Sequence, residues 1–287
     1  MNTRSTLSFK NQVAVITGAA SGIGRGLANK AAQLGMRVVI ADVDANGLQT
    51  VEQELRALGA EVLAQRVDVT HFDSVQALAD AAFATFGAVH LLFNNAGVLV
   101  DGISWQRSVE DWRWSFDVNV MGVIHGIKAF VPRMLAAKEA GVVVNTASMG
   151  GLLSGAYLGP YMATKHAVVS ITETLHFELL GEQTPLRAAV LCPGEVATGI
   201  WHSERLRSDE YGAKGEFSSQ AESATHDFLT NSVAQGISPQ QLAELAFDGI
   251  AAGKFWLFSH PETLKSLLAS RVQSIMDESV PQPPRFG

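Results

Sequence analysis

The stretch VAVITGAASGIG, residues 13–24, decides the fold. Val13–Thr17 is a short run of apolar and β-branched residues without strict alternation. Strands covered on both faces look like this. Gly18, Gly22 and Gly24 follow at once, and a helical pattern starts behind them. Glycine permits a tight turn and lets a ligand approach the backbone closely. The N-terminus of the helix beyond adds unpaired N–H groups and the positive end of a dipole, a setting suited to phosphate. The spacing is G-x-x-x-G-x-G, not the commoner G-x-G-x-x-G. Alone, such a turn is unspecific; its position after a first buried strand gives it weight.

Working outward, further apolar runs occur at residues 38–41, 62–66, 91–93, 142–146 and 188–191. Amphipathic segments such as 45–58 and 74–86 lie between them, and Gly35, Gly59 and Gly87 stand where helix C-caps are expected. This βαβ alternation predicts an α/β fold: a doubly wound, Rossmann-type parallel sheet with helices on both faces and right-handed crossovers. A helix–strand–helix close is expected over 239–252, 255–258 and 261–276. Residues 199–236 are polar, glycine-dotted and too long for an ordinary connection, which suggests a substrate loop or lid within the domain. A poorly ordered surface insertion is the other reading. Residues 277–287, proline-rich, read as an extended tail. Residues 1–287 are expected to form one domain.

Composition narrows the function classes. Apolar residues make up 47% of the 287, and charged residues 17%. That supports a large core and argues against disorder. A net charge of −7 gives no reason to expect nucleic acid or an anionic membrane as partner. The first residues lack a signal-type apolar run, and no uninterrupted apolar stretch approaches a membrane span. Cys192 is the single cysteine, so no intrachain disulfide can form. A soluble, cytoplasmic protein is expected.

Two places carry candidate chemistry. Asp42 ends the second strand, eighteen residues after Gly24. That is near the spacing of an acid that bonds the adenosine ribose of a bound dinucleotide, and it favours NAD by repelling a 2′-phosphate. An N-cap is the alternative role, for which Asp44 is better placed. Arg37 begins that strand, at the end away from the nucleotide. Asp68 reads either as an adenine contact or as a turn residue. Further on, Tyr161 and Lys165 stand at i and i+4, sharing one helix face. A cation there favours the phenolate of Tyr161 and makes it a usable acid/base. No metal is expected, because the eight histidines lack ligand spacing. Cys192 reads as a buried thiol, and Trp105, Trp112 and Trp114 as a packing cluster.

Taken together, TGAASGIG at 17–24, Asp68-Val69, Asn94-Asn95-Ala96-Gly97, Asn119, Ser148, Tyr161-x-x-x-Lys165 and Pro193-Gly194 with Thr198 resemble the short-chain dehydrogenase/reductase family. The resemblance runs from Val13 to about Thr198. It implies that Tyr161 exchanges the proton at the substrate oxygen, Ser148 orients that oxygen, and Lys165 tunes Tyr161 and bonds the nicotinamide ribose. Asn119 would support a water relay to Lys165. It also implies cofactor contacts from Gly18, Ser21, Gly22, Ile23, Gly24, Asp42, Asp68, Val69, Asn95, Ala96, Gly97, Pro193, Gly194, Val196 and Thr198.

The implied activity is an NAD-dependent oxidoreductase acting on an alcohol or ketone. Met149, Leu152, Leu153, Leu158, Ile200 and Trp201 favour a hydrophobic or aromatic secondary alcohol. Residues 205–236 with KFWLFSHPE at 254–262 are similar, more loosely, to a branch containing aryl-alcohol dehydrogenases. An NADP-dependent carbonyl reductase and a catalytically silent NAD-binding regulator are the rival readings. A homodimer or homotetramer is implied, through residues 116–135, the Tyr161 helix and the final strand. Two departures stand out: Ala147 replaces a common serine, and Glu195 stands where an apolar residue is usual. Glu195 reads either as a partner for a substrate hydroxyl or as a solvent-facing carboxylate.

Overall fold

The computed structural model of the chain describes residues 9–283, so residues 284–287 of the expected tail and the first eight residues lie outside it. Its strands are β1 (Val13–Thr17), β2 (Arg37–Asp42), β3 (Val62–Arg66), β4 (Leu91–Asn94), β5 (Gly141–Thr146), β6 (Leu186–Cys192) and β7 (Trp256–Phe258). They form one sheet in the order β3-β2-β1-β4-β5-β6-β7, with every pairing parallel. Side chains alternate across it, and both faces are apolar. Ala14 and Ile16 join one core with Leu27 and Phe247, while Val13 and Val15 join the other with Leu78 and Phe130. This double covering is why β1 and β5 read as continuous apolar runs.

Helices α1 (Gly22–Gln33), α2 (Ala45–Ala57) and α3 (Phe72–Phe86) connect the first strands. Gly35, Gly59 and Gly87 follow them with φ of 73°, 82° and 79°, the left-handed geometry expected of glycine after a helix. The strand order reverses between β1 and β4. That places a crevice at the carboxyl ends of these strands, where open α/β sheets bind ligands.

Next come α4 (Val109–Phe116) and α5 (Gly122–Ala137), joined by a π-helical turn at Asp117–Met121. The joined helix Val109–Ala137 is long and apolar enough, by length and composition, to cross a membrane, although charged residues such as Asp117, Lys128 and Arg133 interrupt its apolar run. Half of its most apolar window is buried within the fold. There α5 supplies Phe130 and Met134 to the core shared with α3. The three tryptophans do not form the expected cluster: Trp114 is 2% exposed and Trp105 is 85% exposed. Trp105 precedes the α4 cap, Ser108, so it lies outside the helical periodicity that turns Trp114 inward.

Helix α6 (Gly159–Gly181) carries Tyr161 and Lys165. Residues 199–236 hold two 3₁₀ turns, Ile200–Leu206 and Asp209–Tyr211, and the 15-residue helix α7 (Gln220–Ala234). Helices α8 (Pro239–Ala251) and α9 (Pro261–Met276) flank β7.

Candidate active site

The glycine turn is shaped by contact. Gly18 has φ +67°, and a Cβ there would lie 2.7 Å from the Cα of Ala96. Ser21 occupies the N-cap of α1 in extended geometry but makes no side-chain capping bond. The first N–H groups of α1 are therefore left for another acceptor, which fits a pyrophosphate. Asp42 accepts hydrogen bonds from Ala20 N at 2.9 Å and Asp44 N at 3.0 Å. Burial pushes its carboxyl above the ordinary value, against the pull of those bonds. A carboxylate has about four acceptor sites, so capacity remains for ribose hydroxyls. The N-cap of α2 is Asp44, which accepts from Gly47 N at 3.0 Å. Asp68 closes a turn by accepting from Thr70 N at 2.9 Å, yet also lines the crevice. Arg37 is tied to Asn11 O at 2.9 Å at the opposite end of β2.

The Asn94–Gly97 turn is braced on every side. Thr17 Oγ1 accepts from Asn95 N at 3.0 Å and Ala96 N at 3.1 Å, and Asn95 Nδ2 donates to Thr17 O at 3.0 Å. Asn94 Nδ2 donates to Asn145 Oδ1 at 2.9 Å. Thr17, which opens the TGAASGIG motif, thus braces this turn, a role the motif alone did not assign.

Beyond the turn, Asn119 and Lys165 flank Gly97: a Cβ at Gly97 would lie 3.2 Å from Asn119 Oδ1 and 3.4 Å from Lys165 Nζ. The π turn presents Asn119, whose amide receives Val98 N at 2.8 Å and donates to Val98 O and Thr164 Oγ1, each at 3.0 Å. Such turns often mark functional positions in helices. Lys165 is buried and donates to Thr146 O at 3.0 Å, leaving two donors for other groups. Desolvation lowers it to about 8. Its Nζ lies 5.6 Å from the centre of the Tyr161 ring. Desolvation pushes the Tyr161 hydroxyl above its ordinary value, while a hydrogen bond with Ser148 pulls it down. Burial is thus the largest influence on this phenol. Ser148 Oγ accepts from Gly150 N at 3.0 Å and donates to Pro193 O at 3.4 Å. Cys192, buried below, is pushed up to about 12 by burial, so its thiol is inert.

The glycine turn, Asp42, Asp68, Ser148, Tyr161 and Lys165 open on one cavity of about 590 Å³. Its wall includes Gly18, Ser21–Gly24, Asp42, Asp68, Val69, Asn95–Gly97, Ser148, Tyr161, Lys165, Pro193, Gly194, Val196 and Thr198. Asn119 stands just behind this wall, against Val98. Of the expected substrate-side residues, Met149, Leu153, Leu158, Ile200 and Trp201 line it, and Leu152 packs behind Met149. Sequence reading missed Thr225, Phe228, Leu229, Ser232 and Val233, which complete the wall from α7. Their spacing of three and four residues is one helix face, and that was the available signal.

The segment carrying α7 is fastened by buried carboxylates and their partners. Glu222 accepts from Ile103 N at 2.9 Å and Ser218 N at 2.8 Å and lies 3.6 Å from Arg107. Asp101 pairs with Lys214 at 2.6 Å and with His226 at 2.7 Å. Arg207 meets Asp111 at 2.6 Å.

A family model for short chain dehydrogenase matches residues 12–209. The chain is 32% identical over 275 residues to a CLA biosynthesis dehydrogenase/reductase of Lactiplantibacillus plantarum, spanning 95% of this chain and 96% of that protein. It is 38% identical to a cyclohexanol dehydrogenase of an Acinetobacter species, over 67% of this chain and 76% of that one. A crystal structure of a short chain dehydrogenase/reductase from Burkholderia phymatum in complex with NAD superposes with a TM-score of 0.94 at 44% identity, covering 98% of this chain and all of that one.

Proposed function

Because the chain belongs to the short-chain dehydrogenase/reductase family, we propose that it interconverts a hydrophobic or aromatic secondary alcohol and its ketone, using NAD. The observation carrying this reading is the convergence of Ser148, Tyr161 and Lys165 on the same cavity as the glycine turn and Asp42. That intact set also argues against a silent NAD-binding regulator.

The residues fit the cofactor. The uncapped N-terminus of α1 and the Gly18–Gly24 turn would hold the pyrophosphate, and Asp42 the adenosine ribose. Asp68 and Val69 would flank the adenine, Lys165 would bond the nicotinamide ribose, and Thr198 the carboxamide. When bound, NAD supplies the hydride acceptor or donor. The chain does the rest. Ser148 holds the substrate oxygen by hydrogen bonding. Tyr161 takes the hydroxyl proton as the alcohol is oxidised, or gives it back as the ketone is reduced. Lys165 places positive charge beside the phenolate so formed. Asn119 fixes Val98 and Thr164, and through Thr164 the helix turn that carries Lys165. Residues 199–236 cover the cavity and exclude water. A single buried thiol and no disulfide fit a cytoplasmic setting.

The test is NADH formation across a panel of secondary alcohols, with NAD and NADP compared. The account expects turnover of hydrophobic members and a higher kcat/KM with NAD. In Asp42→Ala that preference should shrink by at least about tenfold, since a carboxylate no longer repels the 2′-phosphate. Activity confined to small polyols, or an unchanged cofactor ratio in the variant, would contradict it.

A further inference from the structure

Glu195 lies between Gly194 and Val196 on the cavity wall. It is half-buried, and its carboxylate makes no hydrogen bond or ion pair among the described residues. Its backbone is fixed. Glu195 O accepts from Ile237 N at 3.1 Å, and Ala197 N donates to Ile237 O at 2.9 Å. Any side chain on Gly236 would overlap the Glu195 backbone. The Cα–Cβ bond of Glu195 therefore leaves the chain in a set direction. The cavity wall that Glu195 belongs to also includes the apolar residues Met149, Leu153, Leu229 and Val233. A half-buried carboxylate in such company gains from any donor a ligand brings. The reacting centre is close by: Ser148 Oγ donates to Pro193 O at 3.4 Å, and Glu195 is two residues further on, a span of at most about 7 Å.

We propose that Glu195 is an acceptor subsite for a second hydroxyl of the substrate, placed a few carbons from the carbinol that Tyr161 and Ser148 handle. The preferred substrate class is then a hydrophobic secondary alcohol bearing another hydroxyl, such as a diol, and not an anionic one, which the carboxylate repels. This rests on the dehydrogenase reading above.

The experiment compares cyclohexanol, the three cyclohexanediol regioisomers and their monomethyl ethers, with NAD and the full chain. An ether keeps the ring and the oxygen, loses the donor and adds one methyl group. Wild type should favour at least one diol over its ether by about tenfold or more in kcat/KM, the scale of one charged hydrogen bond. In Glu195→Leu that ratio should fall to within about twofold of unity. Glu195→Gln, which keeps an acceptor oxygen, should retain part of it and serves if the leucine variant does not fold. Diol-to-ether ratios near unity in wild type, or a preference that survives in both variants, overturn the subsite while cyclohexanol oxidation upholds the activity. Absence of turnover for every member overturns the activity itself.

Discussion

Lys165 carries an ammonium into the interior with Thr146 O, at 3.0 Å, as its hydrogen-bond partner. Burial lowers it from 10.5 to about 8, so the folded chain holds this proton less tightly than the unfolded chain does. Below pH 8 the folded state bears the full cost of the buried charge, roughly 3 kcal/mol. Between pH 8 and 10.5 the unfolded chain binds more protons, and stability rises with pH. Lys165→Met should therefore raise the melting temperature at pH 7 by several degrees while abolishing turnover. Calorimetry across pH checks it: a variant less stable than wild type at pH 7 would contradict the account. Tyr161 shows where spacing and structure part. The i, i+4 pairing was legible and correct as geometry. The net direction of the phenol's shift was not legible, because desolvation, its largest cause, depends on the whole surrounding wall. With the proposed activity, a raised phenol should favour ketone reduction at neutral pH and make alcohol oxidation climb toward alkaline pH, which a pH–rate profile checks.

At the scale of elements, the segment proposed to cover the cavity is tied to residues 103–107 by Glu222, whose side chain is fully buried. Glu222→Ala would leave Arg107 without its counter-ion and two backbone N–H groups without an acceptor. Removing one member of a buried pair costs about 3–5 kcal/mol. The expected outcome is faster hydrogen exchange over residues 199–236 and a raised substrate KM, with the sheet unaffected. Unchanged exchange there would show that the cover does not rely on this pair. The same segment explains what the sequence concealed. Helix α7 is anchored by Glu222 and His226 to residues 101–107, more than a hundred positions earlier. No local pattern reports such a tie. The π turn at Asp117–Met121 was equally hidden, since one extra residue in a turn leaves the apolar periodicity nearly intact. The strands and the glycine C-caps, by contrast, follow from local rules, and they stood within a residue or two of their expected places.

For the whole molecule, fold and site are unequally written in the chain. β1, the glycine turn, Asp42 and the Tyr161 helix fix the sheet and both ends of the cavity by spacing. The cavity's roof is set by charges that meet only after folding. The outer surface adds an apolar groove between α5 and α6, lined by Ile124, Ile127, Ile171 and Leu175. Phe177 and Leu180 are exposed on α6, at 65% and 67%. Such faces fit a homodimer or homotetramer. Light scattering should give a mass of at least two chains at micromolar concentration; a monomer would refute it. The central claim is the proton transfer by Tyr161. It is tested most directly by the initial rate of NADH formation from a hydrophobic secondary alcohol at alkaline pH, wild type against Tyr161→Phe. The account predicts a fall of at least about a hundredfold in kcat with NAD binding retained. A rate within a few-fold of wild type would contradict it.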